Sequence, residues 1–273
     1  MKLCVIGGGN MAQALIGGLI DTGWSPADIS VTTRTEKSRL DVLRNFRVKT
    51  FSNLAEISHC DIVLLAVKPQ QLFDVALTAT PYLASQLVIS IAAGICTDEL
   101  RKWLNGHSRL IRAMPNTPAR IRAGVTGLFA IPETNDEDRN HAERIFSSIG
   151  RIVWLTQESD MNILTAISGS GPAYVFYFME AVIEAGISEG LSRETATELT
   201  LATFDGASRL AMASHEDIAE LRIKVTSKGG TTEKALAVLI NAKIKETIHD
   251  AVTQAAQRSR ELGNELALMQ KRN

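Results

Sequence analysis

Lys2-Leu3-Cys4-Val5-Ile6-Gly7-Gly8-Gly9-Asn10-Met11-Ala12-Gln13 stands at the head of the chain and decides how its first half is read. Lys2 to Ile6 is a short apolar run of the kind that forms a parallel strand buried on both faces. Gly7, Gly9 and Ala12 then spell G-x-G-x-x-A, and Gln13 to Ile20 continues with helical spacing. Strand, glycine turn and helix in that order form the phosphate-binding start of a dinucleotide fold. Gly7 makes the tight turn, Gly9 leaves room for a pyrophosphate against the backbone, and small Ala12 lets helix and strand pack closely. Cofactor contacts are expected from Ile6, Gly7, Gly8, Gly9, Asn10 and Met11.

Further strands follow at Asp28–Thr32, Val48–Thr50, Ile62–Val67, Leu87–Ile91 and Leu110–Ala113, with amphipathic segments between several of them. That alternation predicts an α/β Rossmann domain, a doubly wound and mostly parallel sheet. Gly124–Ala130 and Arg151–Leu155 read as closing strands, antiparallel or at the sheet edge. Ligands on such sheets lie beyond the carboxyl ends of the strands, so the residues there become candidates. After the second strand, Val31-Thr32-Thr33-Arg34-Thr35 has no acid until Glu36. An NAD site places Asp or Glu there for the ribose 2′-hydroxyl, whereas arginine accommodates a 2′-phosphate. Arg34 therefore points to NADPH over NADH; the alternative is an ordinary solvated arginine. Asn53 is an N-cap candidate that could also face the adenosine side. Ala66, Val67, Lys68 and Pro69 follow the fourth strand, and Ile91, Ala92 and Ala93 the fifth. Lys68 is either a phosphate or ribose contact or a surface lysine. Asn116 either holds the nicotinamide amide or serves the turn between two prolines.

Composition narrows the function classes. With 273 residues, 45% of them hydrophobic, the chain can bury a good core in one large or two modest domains. A net charge of −1 carries no basic surplus for nucleic acid or an anionic membrane. Cys4, Cys60 and Cys96 are an odd set without a Cys-x-x-Cys pair, and read as buried reduced thiols of a cytoplasmic protein. The first apolar run is too short for a signal peptide's core, and no later run is long enough to span a bilayer. The histidines are scattered without His-Glu-x-x-His spacing, so no metal site is expected. Ser168-Gly169-Ser170-Gly171 departs from a nucleophile elbow at its first position, and no strand feeds it.

Beyond Gln157 the pattern is helical. Expected segments are Glu158–Ile167, an interruption at Ser168-Gly169-Ser170-Gly171-Pro172, Ala173–Glu189, a third capped by Ser192 to about Met212, and a short fourth capped by Ser214. Then comes Val225-Thr226-Ser227-Lys228-Gly229-Gly230-Thr231-Thr232, a turn leading into a helix over Glu233–Ile240. Thr231 or Thr232 can cap it, and the unpaired N–H groups of such a start favour an anion. A last amphipathic helix is expected from about Lys243 to Leu268. The division read from this is a dinucleotide-binding domain over 1–157 and a helical domain over 158–273. So many apolar helical faces call for a partner surface, and a homodimer supplies one.

Taken together, Gly7-Gly8-Gly9-Asn10-Met11-Ala12, Ala66-Val67-Lys68-Pro69, Arg112-Ala113-Met114-Pro115-Asn116-Thr117-Pro118, Gly169-Ser170-Gly171-Pro172-Ala173-Tyr174 and the Gly-Gly-Thr-Thr block closely resemble the pyrroline-5-carboxylate reductase family. The resemblance runs along essentially the whole chain in order. It implies NAD(P)H-dependent reduction of L-Δ1-pyrroline-5-carboxylate to L-proline, the last step of proline biosynthesis. It implies a Rossmann domain followed by an all-α dimerisation domain, in dimers that often assemble into decamers. Hydride would pass from nicotinamide C4 to the imine carbon. The substrate carboxylate would be held at Gly229, Gly230 and Thr231 beside Ser227, with Thr232 placing its hydroxyl by the ring nitrogen as the catalytic orienter. One departure is clear: Lys228 stands where the family usually has proline, which frees the turn and adds a charge.

Three rivals keep part of this pattern. A β-hydroxyacid dehydrogenase would need a lysine donor on the first helix after the Rossmann domain, and Ile163–Tyr174 contains none. A dinucleotide sensor would not need a second anion-binding helix start. A piperideine carboxylate reductase differs by one ring methylene, worth only ~1–3 kcal/mol in a pocket.

Overall fold

The computed structural model describes residues 1–270, with side chains as far as Leu266. The expected domain 158–273 therefore ends outside the described residues. One eight-stranded sheet runs in the order β3-β2-β1-β4-β5-β6-β7-β8. Its strands are β1 Leu3–Ile6, β2 Ile29–Thr32, β3 Lys49–Phe51, β4 Ile62–Leu65, β5 Leu87–Ser90, β6 Leu110–Pro115, β7 Gly124–Ala130 and β8 Gly150–Trp154. All neighbours are parallel except β6 and β7, and β8 lies at the edge. β1, β2, β4 and β5 are buried along their whole length, which explains why each reads as a continuous apolar run rather than an alternation.

Helices α1 Asn10–Asp21, α2 Glu36–Phe46, α3 Pro69–Ala79, α4 Thr97–Trp103 and α5 Asp136–Ser147 connect the strands. One core cluster packs Leu15, Ile16 and Leu19 of α1 and Phe146 of α5 against Leu3, Val5 and Val31. A second, on the opposite sheet face, gathers Cys4, Ile6, Val63 and Leu65 with Leu72 of α3 and Leu100 of α4.

The helical half begins with α6 Asp160–Leu164, continues through a π-helical turn at Thr165–Gly169 and enters α7 Gly171–Ser188. The break expected at Ser168–Pro172 is thus a widened turn, closed by Ser170 N–H donating to the Thr165 carbonyl at 2.9 Å. Next come α8 Arg193–Ala213, α9 Ile218–Lys224, α10 Thr231–Asn241 and α11 Ile244–Gln270. Ser192 caps α8 as expected, its hydroxyl accepting from the Thr195 N–H. Ser214 does not start the following helix. Asp217 caps α9, and Ser214 only accepts from Glu216 N–H in the preceding turn.

Packing divides the chain into Met1–Ser170 with Gln254–Asn273, and Gly171–Thr253. The expected division is 1–157 and 158–273, and side-chain bonds join segments on the two sides of that boundary. The Glu158 carboxylate accepts from Thr97 N–H at 2.8 Å, Thr97 Oγ1 at 2.6 Å and Arg112 at 2.9 Å. Ser259 of α11 donates to Asn162 Oδ1 at 2.9 Å. Both ends of the helical half are therefore tied into the sheet unit. The second unit is different in character. Neither α7 nor α10 has a buried residue, and Phe176, Tyr177, Met212, Val238 and Ile240 are each more than half exposed.

Candidate functional site

The glycine turn after β1 sits where the sheet order reverses, with β2 on one side and β4 on the other. Gly7 has φ +117°, and a Cβ there would lie 2.3 Å from the Ala66 carbonyl oxygen. Only glycine brings the turn this close to the end of β4. A Cβ on Gly8 would lie 2.5 Å from Ser38 Oγ of α2, while Gly9 faces open space. Gly9 is the N-cap of α1, and no side chain caps the helix. The first N–H groups of α1 thus point out beside a bare backbone, the arrangement that binds a diphosphate. Gln13 Nε2 donates to the Gly8 carbonyl at 2.9 Å and steadies the turn. Asn10 is exposed and Met11 half-buried at this start.

Beyond β2 the backbone runs through buried Thr33 to exposed Arg34. Arg39, one turn into α2, donates to the Thr33 carbonyl at 2.9 Å and the Arg34 carbonyl at 3.2 Å. This brings a second guanidinium to the same corner. Sequence reading missed Arg39. Its only local signal was a basic residue one turn past Thr35, whose hydroxyl accepts from Ser38 N–H and caps α2. Asn53 lies past β3, exposed, with Oδ1 accepting from Ala55 N–H at 3.0 Å. It shapes that turn, while Leu54 is the helical cap.

Ala66 and Val67 are half-buried at the end of β4, and Lys68 is the exposed N-cap of α3 with Pro69 at the first helical position. Ile91 and Ala93 are half-buried after β5, and Ala92 is buried. Asn116, at the end of β6, is 8% exposed with both side-chain ends engaged. Its amide donates to the Ser168 carbonyl at 3.1 Å, and its Oδ1 accepts from Val125 N–H at 2.9 Å. Both bonds run to other segments and not around the turn between the two prolines. The thiols differ from the expected burial: Cys4 is buried, but Cys60 and Cys96 are only partly so.

In the second unit, α9 leads through Val225–Lys228 into α10. Gly229 adopts φ +74°, and Gly230 is extended as the N-cap of α10. A Cβ on Gly230 would lie 2.4 Å from Ser227 Oγ and 3.1 Å from the Ser227 carbonyl oxygen, so a side chain there would make Ser227 turn away. Gly230, not either threonine, caps the helix, and Thr231 and Thr232 stand in its first turn. The Gly230 N–H donates to the Ser227 carbonyl at 3.0 Å, and the Gly229 N–H to Glu233 Oε2 at 2.6 Å. Two of the three N–H groups expected to hold an anion thus have internal partners. The first-turn N–H groups at Thr231 and Thr232 remain, beside their hydroxyls. Ser227, Lys228 and Thr231 are exposed and Thr232 is half-buried.

Comparisons agree in both halves. Residues 158–262 match a family model described as pyrroline-5-carboxylate reductase dimerisation. Residues 2–94 match one described as NADP oxidoreductase, coenzyme F420-dependent. A pyrroline-5-carboxylate reductase of Pseudomonas aeruginosa is 40% identical over 97% of this chain and 98% of its own length. That of Haemophilus influenzae is 39% identical over 95% and 97%. Among solved structures, the Coxiella burnetii enzyme aligns with a TM-score of 0.91 at 42% identity, covering 96% of this chain and 98% of its own. The Plasmodium falciparum enzyme, solved with NADP bound, aligns with a TM-score of 0.86 at 33% identity over the same shares.

Proposed function

Because this chain belongs to the pyrroline-5-carboxylate reductase family, we propose that it reduces L-Δ1-pyrroline-5-carboxylate to L-proline with NADPH, the last step of proline biosynthesis. The observation that carries the reading is the near full-length match together with two uncapped helix starts, at Gly9 and at Gly230. The first takes the cofactor diphosphate on the N–H groups of α1. Arg34 and Arg39 take the 2′-phosphate, which makes NADPH the preferred reductant and NADH the poorer one. Lys68 reaches the phosphate and ribose side, while Ile6, Ala66, Val67, Ile91, Ala92, Ala93 and the Asn116 backbone wall the pocket.

The second start takes the substrate. Its carboxylate is received by the Thr231 and Thr232 N–H groups and the Thr231 hydroxyl, with Gly229 and Gly230 shaping the turn and Ser227 at its rim. Thr232 sets its hydroxyl at the ring nitrogen and orients the imine. The reduced nicotinamide, when bound, supplies hydride to the imine carbon. A protonated imine is already electrophilic and its product is a stable amine, so no strongly shifted protein acid is required. Positioning carries much of the rate.

Dimerisation through α7, α8 and α10 would cover their exposed apolar faces, and the dimers would assemble further into decamers, as the resemblance implies. The proposed location is the cytoplasm, in keeping with three unpaired cysteines.

The deciding assay follows NADPH oxidation at its near-ultraviolet absorbance with pyrroline-5-carboxylate, with NADH in parallel and proline as the product scored. Cofactor binding without imine-dependent turnover would overturn the assignment. Thr232→Ala is expected to lower turnover about tenfold, the worth of one hydrogen bond near 1.4 kcal/mol, with NADPH affinity unchanged. Wild-type turnover in that variant would remove Thr232 from the mechanism.

A further inference from the structure

Cys4 and Cys60 meet at the opposite end of the sheet from the glycine turn. Cys4 is the second residue of β1 and lies beside Ser30 of β2 in the parallel register. Cys60 immediately precedes the β4 region, two residues before Ile62. Ser30 Oγ lies 3.6 Å from Cys60 Sγ, and Thr32 Oγ1 lies 4.0 Å from Cys4 Sγ. Cys60 also packs against the core cluster that holds Cys4. Cys60 Sγ further donates to the Glu56 carbonyl at 3.4 Å, which fixes its rotamer.

Access comes from one side. Cys60 lines a polar cleft of about 430 Å³ together with Asp61, Gln86, Arg109, Glu137 and His141. Asp61, Gln86 and Arg109 stand just before β4, β5 and β6, so the cleft opens at the amino ends of the strands. Cys4, behind it, is fully buried. One thiol is therefore reachable from water and its neighbour is not.

We propose that Cys60 is a peroxide-reactive thiol and that Cys4 resolves it into an intrachain disulfide. The Cys60 thiolate attacks one oxygen of a hydroperoxide. The O–O bond breaks, and the departing oxygen leaves as water or an alcohol after taking a proton. Cys60 is then a sulfenic acid. Cys4 sulfur attacks the Cys60 sulfur, the S–O bond breaks, and the hydroxyl leaves as water with the Cys4 proton. In sum, two thiols lose two electrons to one peroxide. The proton balance of the pair favours this order. The Cys60 thiol is pulled down to about 7, first by the hydrogen bond from Cys4 and then by Ser30, against burial and the charges of Glu56 and Asp61. Cys4 is pushed up, chiefly by its hydrogen bond to Cys60 and then by burial. Oxidation of Cys60 removes the charge that holds the Cys4 proton, so the resolving thiol is released only after the first step.

The test needs neither substrate nor turnover, and so stands apart from the reductase assignment. The full chain is treated with stoichiometric hydrogen peroxide. Free thiols are then counted in denaturant, and the cysteine peptides are mapped by mass spectrometry. Thiols are expected to fall from three to one, with Cys4 joined to Cys60, Cys96 left free, and all three recovered with dithiothreitol. In Cys4→Ala, Cys60 is expected to stop at the sulfenic acid and be captured by a cyclic 1,3-dione. Preferential oxidation of Cys96, or a reduced Cys60 after all the peroxide is consumed, would overturn the proposal. The wild-type map decides this even if the variant fails to fold.

Discussion

Glu233 places its carboxylate 2.6 Å from the Gly229 N–H, across the turn that starts α10. The same side chain stabilises the turn and sets a negative charge in the first turn of a helix proposed to receive a carboxylate. Glu233→Gln keeps a hydrogen-bond acceptor for Gly229 and removes the charge. The KM for pyrroline-5-carboxylate is expected to fall two- to fivefold, corresponding to about 0.5–1 kcal/mol of relieved repulsion, with the KM for NADPH unmoved. Steady-state kinetics at low ionic strength checks this. An unchanged imine KM would separate Glu233 from the carboxylate.

Arg34 and Arg39 converge after β2, but with different duties. Arg34→Ala is expected to weaken NADPH about tenfold and leave NADH nearly unaffected, since only the 2′-phosphate is lost as a partner. Arg39 also holds the Thr33 and Arg34 carbonyls. Arg39→Ala should therefore weaken both cofactors, NADPH more. Titration of each variant with the two nucleotides, read by fluorescence, compares them directly.

Gly7 joins its φ of +117° to a 2.3 Å approach that a Cβ would make on the Ala66 oxygen. Gly7→Ala is expected to cost about 2–4 kcal/mol of stability. Urea unfolding followed by far-ultraviolet circular dichroism measures it. Gly9→Ala meets no neighbour. It should leave stability within about 1 kcal/mol of wild type while weakening the cofactor.

His107 accepts burial in its neutral form. Burial is the largest cause pulling its pKa below the usual 6.5, against the hydrogen bond between its Nε2 and the Gln86 carbonyl at 2.7 Å. Between the lowered folded value and 6.5 the unfolded chain binds the extra proton, so stability rises with pH there. The contribution is complete above about pH 6.5 and declines as pH falls towards the folded value. The melting temperature should drop across that interval in wild type and less steeply in His107→Gln. Parallel slopes would show that His107 does not titrate differently on unfolding.

Much of the sheet was legible because β1, β2, β4 and β5 are buried on both faces and so spell unbroken apolar runs. The glycine turn was legible for another reason: strand, glycines and helix follow one another directly in the chain, although the neighbours that demand glycine, Ala66 and Ser38, lie in other elements. Long-range ties left no local mark. Asn116 reads as a turn residue between prolines, yet its partners are Val125 and Ser168. Ser168-Gly169-Ser170 reads as a helix break because serine and glycine are weak helix formers. A Cβ on Gly169 would lie 3.1 Å from the Met114 methyl, so the π-helical turn lies close to β6 there. Threonine and glycine rank alike as caps, so propensity alone leaves the cap of Gly-Gly-Thr-Thr open. The extended backbone of Gly230 makes it the cap. Arg39 escaped notice because a guanidinium reaching back to two carbonyls has no sequence spacing of its own.

The chain leaves the sheet unit after Ser170 and rejoins it at Gln254. Leu266 of α11 then takes its place among Ile6, Ala92, Ile95 and Leu100 in the second core cluster. Synthesis runs from β1 towards α11, so β1 waits for a partner made more than two hundred residues later. A chain stopped short of α11 would carry that apolar seam open to water. Chains interrupted before α11 thus present to proteases and chaperones a surface that α11 hides.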